Sequence, residues 1–405
     1  MPIANAVKAS LERGSWIRRM FEAGIELKAR LGTDKVFDFS LGNPDLEPPP
    51  EFIAALKAAA MSEETGTHAY MTNAGYGFAR SAMAQKVALE HDVPTTADDI
   101  IMTVGAAGAL NVILRSVVNP GDEVVVVRPY FAEYSAYIEN HNSVMVVADS
   151  SPTFDLDPIA LSRVLTNRTA AVIINTPNNP TGRVYPRRAI EALAGVLLAH
   201  GKSSGRSPYL VIDEPYRDIV YDGLLVPPVL SAYPESIVAS SFSKTLSIPG
   251  ERLGYIAVNP ACSDKALLMA ALTASNRVLG FVNAPALMQR AVSASWRAKA
   301  DVSRYAKRRD MLTSILSEAG IHYAEPQGAF YLFCKAPSGG PEPKPGESTD
   351  ITFAMALKEK GILSVPGVGF GYPGWIRLCY CVPEASIEGS RSAFLATMAD
   401  AHRAV

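Results

Sequence analysis

Cysteine, histidine and charge of one sign are all scarce in this chain, and each scarcity excludes something. Four cysteines (Cys262, Cys334, Cys379 and Cys381) among 405 residues make no disulfide framework. Cys379 and Cys381 sit in an apolar run, where positions i and i+2 share one face of a strand, so they read as buried free thiols. A reducing compartment, the cytoplasm, is expected. The histidines (His68, His91, His141, His200, His322 and His402) show no ligand spacing, and no metal site is expected. A formal net charge of −2 offers no electrostatic reason to expect nucleic acid or an anionic membrane as partner. No apolar run reaches the length of a membrane span, and the opening MPIANAVKASLERGSWIRR lacks the apolar stretch of a signal peptide. There are no internal repeats. The one biased segment, 337–348, is expected to be a mobile surface loop.

What is present is an ordinary globular composition, 48% apolar, which suffices for two domains with sizeable cores. Residues 8–31 carry helical spacing (Leu11, Ile17, Met20, Phe21, Ile25, Leu27) and predict an amphipathic helix ending near Gly32. A short strand at 36–41 runs into the turn-rich GNPDLEPPP, and helices at 51–61 and 78–91 flank a polar, glycine-rich loop at 67–77. From residue 100 strands and helices alternate. Strands are predicted at 100–104, 123–127, 144–147, 170–175, 209–213, 237–241 and 256–258, with helices between them: a βα series. After a helix at 302–320 the pattern changes to AFYLF, a helix at 351–360, a strand pair at 362–365 and 375–381, and a last helix, as in a smaller α+β domain. The expected division is an N-terminal segment 1–49 packed on the small domain or on a partner chain, a large domain 50–290, and a small domain 291–405.

The stretch 240–255, SSFSKTLSIPGERLGY, organises the chemistry. Lys244 follows an apolar run and stands in the crevice at the carboxyl end of a strand, where open α/β sheets place their ligands. A desolvated lysine has a depressed pKa and forms Schiff bases with aldehydes or acts as a base. Ser241, Ser243 and Arg252 offer two hydroxyls and a guanidinium fork to a phosphate. An aldehyde and a phosphate on one small molecule point to pyridoxal phosphate. Gly105-Ala106-Ala107-Gly108, between strand and helix, can hold an anion on backbone N–H groups, although many tight βα turns look the same. In NTPNNPTG (175–182) the amide of Asn179 can donate to a phenolate oxygen, or the run is a plain turn. In LVIDEPY, Asp213 enters the crevice at another strand end, and a carboxylate there needs a cation. A pyridinium N–H would meet that need and keep the ring an electron sink; a helix N-terminus or an arginine would serve as well. Tyr216 can reach the neighbouring ring oxygen. Arg377, in the apolar WIRLCYC, wants a planar anion, either a substrate α-carboxylate or an internal salt-bridge partner.

The ordered set GAAGAL, PYF, NTPNNPTG, DEPY, SFSK, PGERLG, PQGAFYLF and WIRL covers nearly the whole chain and resembles the class I/II (aspartate aminotransferase-like) aminotransferases, PLP-dependent enzymes of fold type I. The resemblance implies an α/β fold: a large domain with a mostly parallel seven-stranded sheet covered by helices, and a smaller α+β domain. It implies that Lys244 is the Schiff-base lysine that also shuttles the proton between Cα and C4′. Asp213 would pair with the pyridine nitrogen, with Asn179 and Tyr216 on the ring oxygen. Phe131 would stack on the ring where many relatives carry Trp or Tyr. Ala106, Ala107, Ser241, Ser243 and Arg252 would form the phosphate cup. Tyr70 would reach the phosphate of a neighbouring subunit, which implies a homodimer with shared active sites. The backbone of Gly42, with Asn179 and Arg377, would hold the α-carboxylate.

Aspartate-using relatives often carry a lysine in the phosphate turn where this chain has Ala107. Arg277, from a segment that often lines the partner's site in this family, would replace it as reader of a second carboxylate, or else lies on a solvated helix end. The implied function is ping-pong amino transfer between an L-amino acid, aspartate first, and a 2-oxo acid such as 2-oxoglutarate. A β-eliminating PLP lyase of the same fold, cystathionine β-lyase-like, is the alternative and uses the same Lys244, Asp213 and Arg377. A PLP-sensing transcription regulator is the least expected, because the first 40 residues hold one helix and no basic excess.

Overall fold

The computed structural model describes residues 3, 4, 7, 8, 11, 15–337, 343 and 346–403. A two-residue strand, β1 (Phe37–Asp38), precedes the alternating region. There β2 (Ile100–Thr103), β3 (Glu123–Arg128), β4 (Val144–Asp149), β5 (Thr169–Asn175), β6 (Tyr209–Asp213), β7 (Ser236–Ser241) and β8 (Gly254–Val258) form one seven-stranded sheet in the order β2-β8-β7-β6-β5-β3-β4. The neighbours from β7 through β4 run parallel, and β8 is antiparallel to both β2 and β7. β3 (EVVVVR) and β5 (TAAVIIN) are near-continuous Val, Ile and Ala because both of their faces are covered. Alternate side chains feed two cores. Ile100, Val125, Val172 and Ile212 point to one face, and Ile101, Val124, Ile173 and Val211 to the other.

The later strands are β9 (Tyr331–Lys335), β10 (Ile362–Leu363), β11 (Val365–Pro366) and β12 (Trp375–Cys379). β11, β12 and β9 make a three-stranded antiparallel sheet over a separate core that includes Phe39, Tyr305, Leu312, Phe330 and Ile376. The expected strand pair 362–365 with 375–381 is corrected here. Only Val365 and Pro366 face β12, whereas Ile362 and Leu363 pair in parallel with β1 at Phe37 and Asp38. Pro366 has no N–H to donate and closes the short ladder. β1 thus ties the N-terminal segment to the C-terminal part of the chain.

Helix Trp16–Leu31 ends at Gly32, whose φ of 93° suits glycine. The start expected at residue 8 falls partly on 9, 10 and 12–14, outside the described residues. The loop expected at 337–348 falls mostly on 338–342, 344 and 345, also outside them, as does the side chain of His402. A helix at Ala286–Ser295 was not expected; Pro285 starts it, and Met288, Ala291 and Val292 bury its inner face. No described helix is long and apolar enough to cross a membrane.

Candidate active site

β5, β6 and β7 end side by side, with Asn175 in register with Asp213 and Asp213 with Ala239. Their carboxyl ends open into one crevice, which also receives Gly42, Ala106, Ala107, Phe131, Asn179, Tyr216, Ser241, Ser243, Lys244, Arg252 and Arg377. Residues spread over more than 300 positions meet there because parallel strands deliver their ends to a single edge.

Lys244 lies in the one-turn helix Phe242–Thr245 directly after β7. Its Nζ donates to the carbonyl of Gly42 at 2.7 Å and lies 5.6 Å from the centre of the Phe330 ring. Burial pulls its pKa below the ordinary lysine value, and the charges of Arg377 and Arg252 add to that.

Asp213 is buried. One carboxylate oxygen, Oδ2, accepts the Tyr134 hydroxyl at 2.6 Å and the Asn175 amide at 3.4 Å. The other, Oδ1, has no partner among the described residues. Burial raises the pKa to about 7, with Tyr134 working against the rise and Glu214 adding to it. Neither alternative partner, an arginine or a helix N-terminus, meets this carboxylate. Asp213 therefore presents an empty acceptor to the crevice.

Arg377 is also without a carboxylate among the described residues, although only 2% exposed. Its guanidinium donates to Asn179 Oδ1 at 3.1 Å and to the carbonyl of Ser40 at 2.6 Å, while Nε is left unpaired. The rings of Tyr331 and Phe370 lie 4.6 and 4.9 Å from it. The internal salt bridge is absent, and a buried guanidinium without an anion is costly. The same crevice holds an anion cradle. Ala106 and Ala107, in the first turn of helix Gly105–Val117, line it with Arg252, and a Cβ on Gly105 (φ +79°) would come within 3.0 Å of the Arg252 guanidinium.

The segment 39–45 threads between these groups as a strap. Ser40 accepts from Arg377, Gly42 from Lys244, and Asp45 from the buried Arg308 at 2.6 Å. A Cβ on Gly42 would sit 1.9 Å from the Tyr331 hydroxyl, so only glycine fits there. Behind Asp213, the carboxylate of Glu214 accepts from His91 Nε2 and from Arg217, each at 2.8 Å. His91 Nδ1 accepts the Val229 N–H at 3.2 Å, so His91 and Glu214 of the Glu90–His91–Glu214 group are engaged by protein partners.

Two expected residues stand outside the crevice of their own chain. Tyr70 is 92% exposed, and Arg277 sits exposed in the last turn of helix Lys265–Val278, beside a separate groove. Sequence reasoning missed Tyr134, Asn175 and Tyr331. Asn175 was legible as the last residue of a buried strand next to Asp213. Tyr331 lay unassigned inside PQGAFYLF, and Tyr134 follows Phe131 by one helical turn.

The aminotransferase class I and II family matches residues 34–393. The chain belongs to this family. It is similar to a probable aspartate/prephenate aminotransferase of Thermus aquaticus, 31% identical over 379 residues that cover 91% of this chain and 93% of the relative. Among solved structures it is similar to an aminotransferase of Eubacterium rectale at 35% identity and TM-score 0.92, covering 98% of both chains. The Thermus thermophilus aspartate aminotransferase with maleate aligns at 27% identity and TM-score 0.84, over 98% of this chain and all of that one. The fold is thus fold type I, and the chain is a PLP-dependent aminotransferase. The crevice fits the cofactor on its own terms, with an orphaned carboxylate oxygen, an anion cradle and a lysine of lowered pKa. The aminotransferase names of these relatives do not favour the lyase alternative.

Proposed function

We propose that this aminotransferase works by a ping-pong cycle in which an L-amino acid, aspartate first, gives its amino group to a 2-oxo acid such as 2-oxoglutarate. The observation that carries the reading is the buried Arg377 without a carboxylate partner, in one crevice with Lys244 and the orphaned Asp213 oxygen. The cofactor, when bound, supplies an aldehyde carbon for amines and a cationic ring that takes up electrons released at Cα.

The chain's own residues do the rest. Asp213 Oδ1, which has no protein partner among the described residues, would accept the ring N–H, and its ionised form would favour a protonated ring nitrogen. Tyr216 donates to the ring oxygen, as does the amide nitrogen of Asn179, whose carbonyl is engaged by Arg377. Phe131 covers one face of the ring. Ser241, Ser243, Arg252 and the N–H groups at Ala106 and Ala107 hold the phosphate. Arg377 and the backbone of Gly42 grip the α-carboxylate and so fix Cα near Lys244. Lys244 would be the residue that holds the cofactor covalently, through the aldehyde carbon. Burial lowers the pKa of Lys244, so its free amine would be neutral enough to accept the proton held at Cα, and as the ammonium it would be the group placed to give that proton back.

Lys244, Arg252 and Arg377, the cations among the described residues that line the crevice of one chain, are all engaged in this scheme. A second carboxylate on the donor needs another reader. We assign it to Arg277 of a second copy in a homodimer, with Tyr70 crossing to the neighbouring phosphate. The maleate complex of the Thermus thermophilus relative, a dicarboxylate in an aspartate aminotransferase, supports a dicarboxylate donor. We further propose that 50–290 and 291–405 act as large and small domains joined to the segment 1–49, and that the enzyme works in the cytoplasm.

The test is a half-reaction scan. Purified enzyme is mixed with each common amino acid singly, without 2-oxo acid, and its visible spectrum is followed. Conversion to the pyridoxamine form fastest with aspartate or glutamate, and slowed for these two alone by Arg277→Ala, supports the proposal. Conversion by aromatic or aliphatic donors only discards aspartate. Ammonia and pyruvate released from a β-substituted donor, with an unchanged final spectrum, would restore the lyase.

A further inference from the structure

Tyr216 and Tyr331 meet with their hydroxyl oxygens 2.8 Å apart. Their rings cross at 81° with centroids 5.6 Å apart, and both side chains are buried. Between two hydroxyls either oxygen can be the donor. The choice follows from the function proposed above, on which this inference rests. A Tyr216 hydrogen given to the ring oxygen of the cofactor cannot also be given to Tyr331, so Tyr331 is the donor of the pair. Nothing else among the described residues accepts a hydrogen bond from Tyr331. Its position is held firmly, with the Arg377 guanidinium 4.6 Å from its ring centre and Phe330 packed at 5.0 Å.

We infer that Tyr331 is a positioning residue that donates to Tyr216 and thereby strengthens the hydrogen bond from Tyr216 to the ring oxygen of pyridoxal phosphate. An oxygen that accepts a hydrogen bond becomes a better donor, by roughly 10–30% per bond in condensed phases. Burial pushes both phenols above their ordinary pKa. Against that rise the bond from Tyr331 pulls Tyr216 down, whereas the proximity of Tyr216 pushes Tyr331 further up. Both side chains line the crevice, and the direction of the bond between them follows from the demand of the ring oxygen on the Tyr216 hydrogen. The same hydroxyl blocks any side chain at Gly42, so one group both polarises Tyr216 and keeps the strap against the crevice.

The experiment uses holoenzyme and reads the pH midpoint at which the visible band of the bound cofactor titrates. A donor on the ring oxygen competes for the proton that titrates this band, so loss of a donor raises the midpoint. Tyr216→Phe is expected to raise it by about one unit, and Tyr331→Phe by a few tenths of a unit. Adding Tyr331→Phe to Tyr216→Phe is expected to change nothing further. The KM for the amino acid should stay within about twofold in Tyr331→Phe, since the ring that packs on Arg377 is retained. Equal shifts from Tyr331→Phe in both backgrounds, or no shift in either, would overturn the donor chain. A raised KM without a shift would overturn it too, in favour of a packing role. A Tyr216→Phe enzyme with the parent midpoint would instead overturn the placement of Tyr216 at the ring oxygen.

Discussion

Asp213 gives the apoenzyme a pH dependence that can be worked out from the site. Its carboxyl is buried, one oxygen is unpaired, and its pKa rises from 3.8 to about 7. A raised acid stabilises the fold only while protonated. The contribution is complete below the unfolded value of 3.8 and is lost as pH climbs through that value to about 7. Full titration costs about 4 kcal/mol, and the part lost between about pH 5 and about pH 8 is about 2.5 kcal/mol. Asp213→Asn keeps the volume and an acceptor for Tyr134 but has no charge to bury. Chemical denaturation of the two apoenzymes across this range should show the parent falling away from the variant by that amount, the other titrating groups being common to both. Saturating cofactor should reverse the order, because the ring N–H supplies the missing cation to the parent alone. Apoenzyme curves that stay parallel from about pH 5 to about pH 8 would refute the buried, unpaired carboxylate and the argument built on it.

Three further outcomes follow from the same geometry. Lys244→Ala should lose the visible band of the bound cofactor and lower turnover by about a thousandfold or more, read by absorbance and steady-state rates. Asp45→Ala leaves the Arg308 guanidinium buried without its carboxylate, and thermal or chemical unfolding should register a loss of about 3 kcal/mol together with a raised KM as the strap loosens. Gly42→Ala places a methyl group 1.9 Å from the Tyr331 hydroxyl, so the strap must retreat from Lys244. Steady-state kinetics should show kcat/KM lower by about a hundredfold, and an unchanged value would mean that the strap does not position the reacting groups.

Much of this protein is legible in its sequence because the informative features are local. An apolar run of strand length followed by turn residues marks a buried parallel strand, and the residue at its carboxyl end is delivered to the crevice wherever the strand lies in the sheet. Lys244 after β7, Asp213 at the end of β6 and the small residues after β2 could therefore be placed by chemistry alone. The family resemblance then supplied their shared ligand. Element type was read more securely than pairing: β10 joined β1 rather than β12, because a two-residue strand carries too little pattern to choose its neighbour.

The tertiary structure decided which side chains complete one another. Lys244 meets the carbonyl of Gly42 across 202 positions, and Arg377 meets that of Ser40 across 337. Tyr134 on Asp213 and Tyr331 on Tyr216 are contacts of the same kind. Tyrosines are ordinary core residues, and nothing in their local spacing marks these two. Whether Asp213 has a partner for its second oxygen, or Arg377 a carboxylate, depends on everything packed around them and not on their neighbours in the chain. Those two missing partners make the crevice specific for a cation and an anion. Burying a charge without a partner is costly, and a ligand that brings the complementary charge offsets that cost.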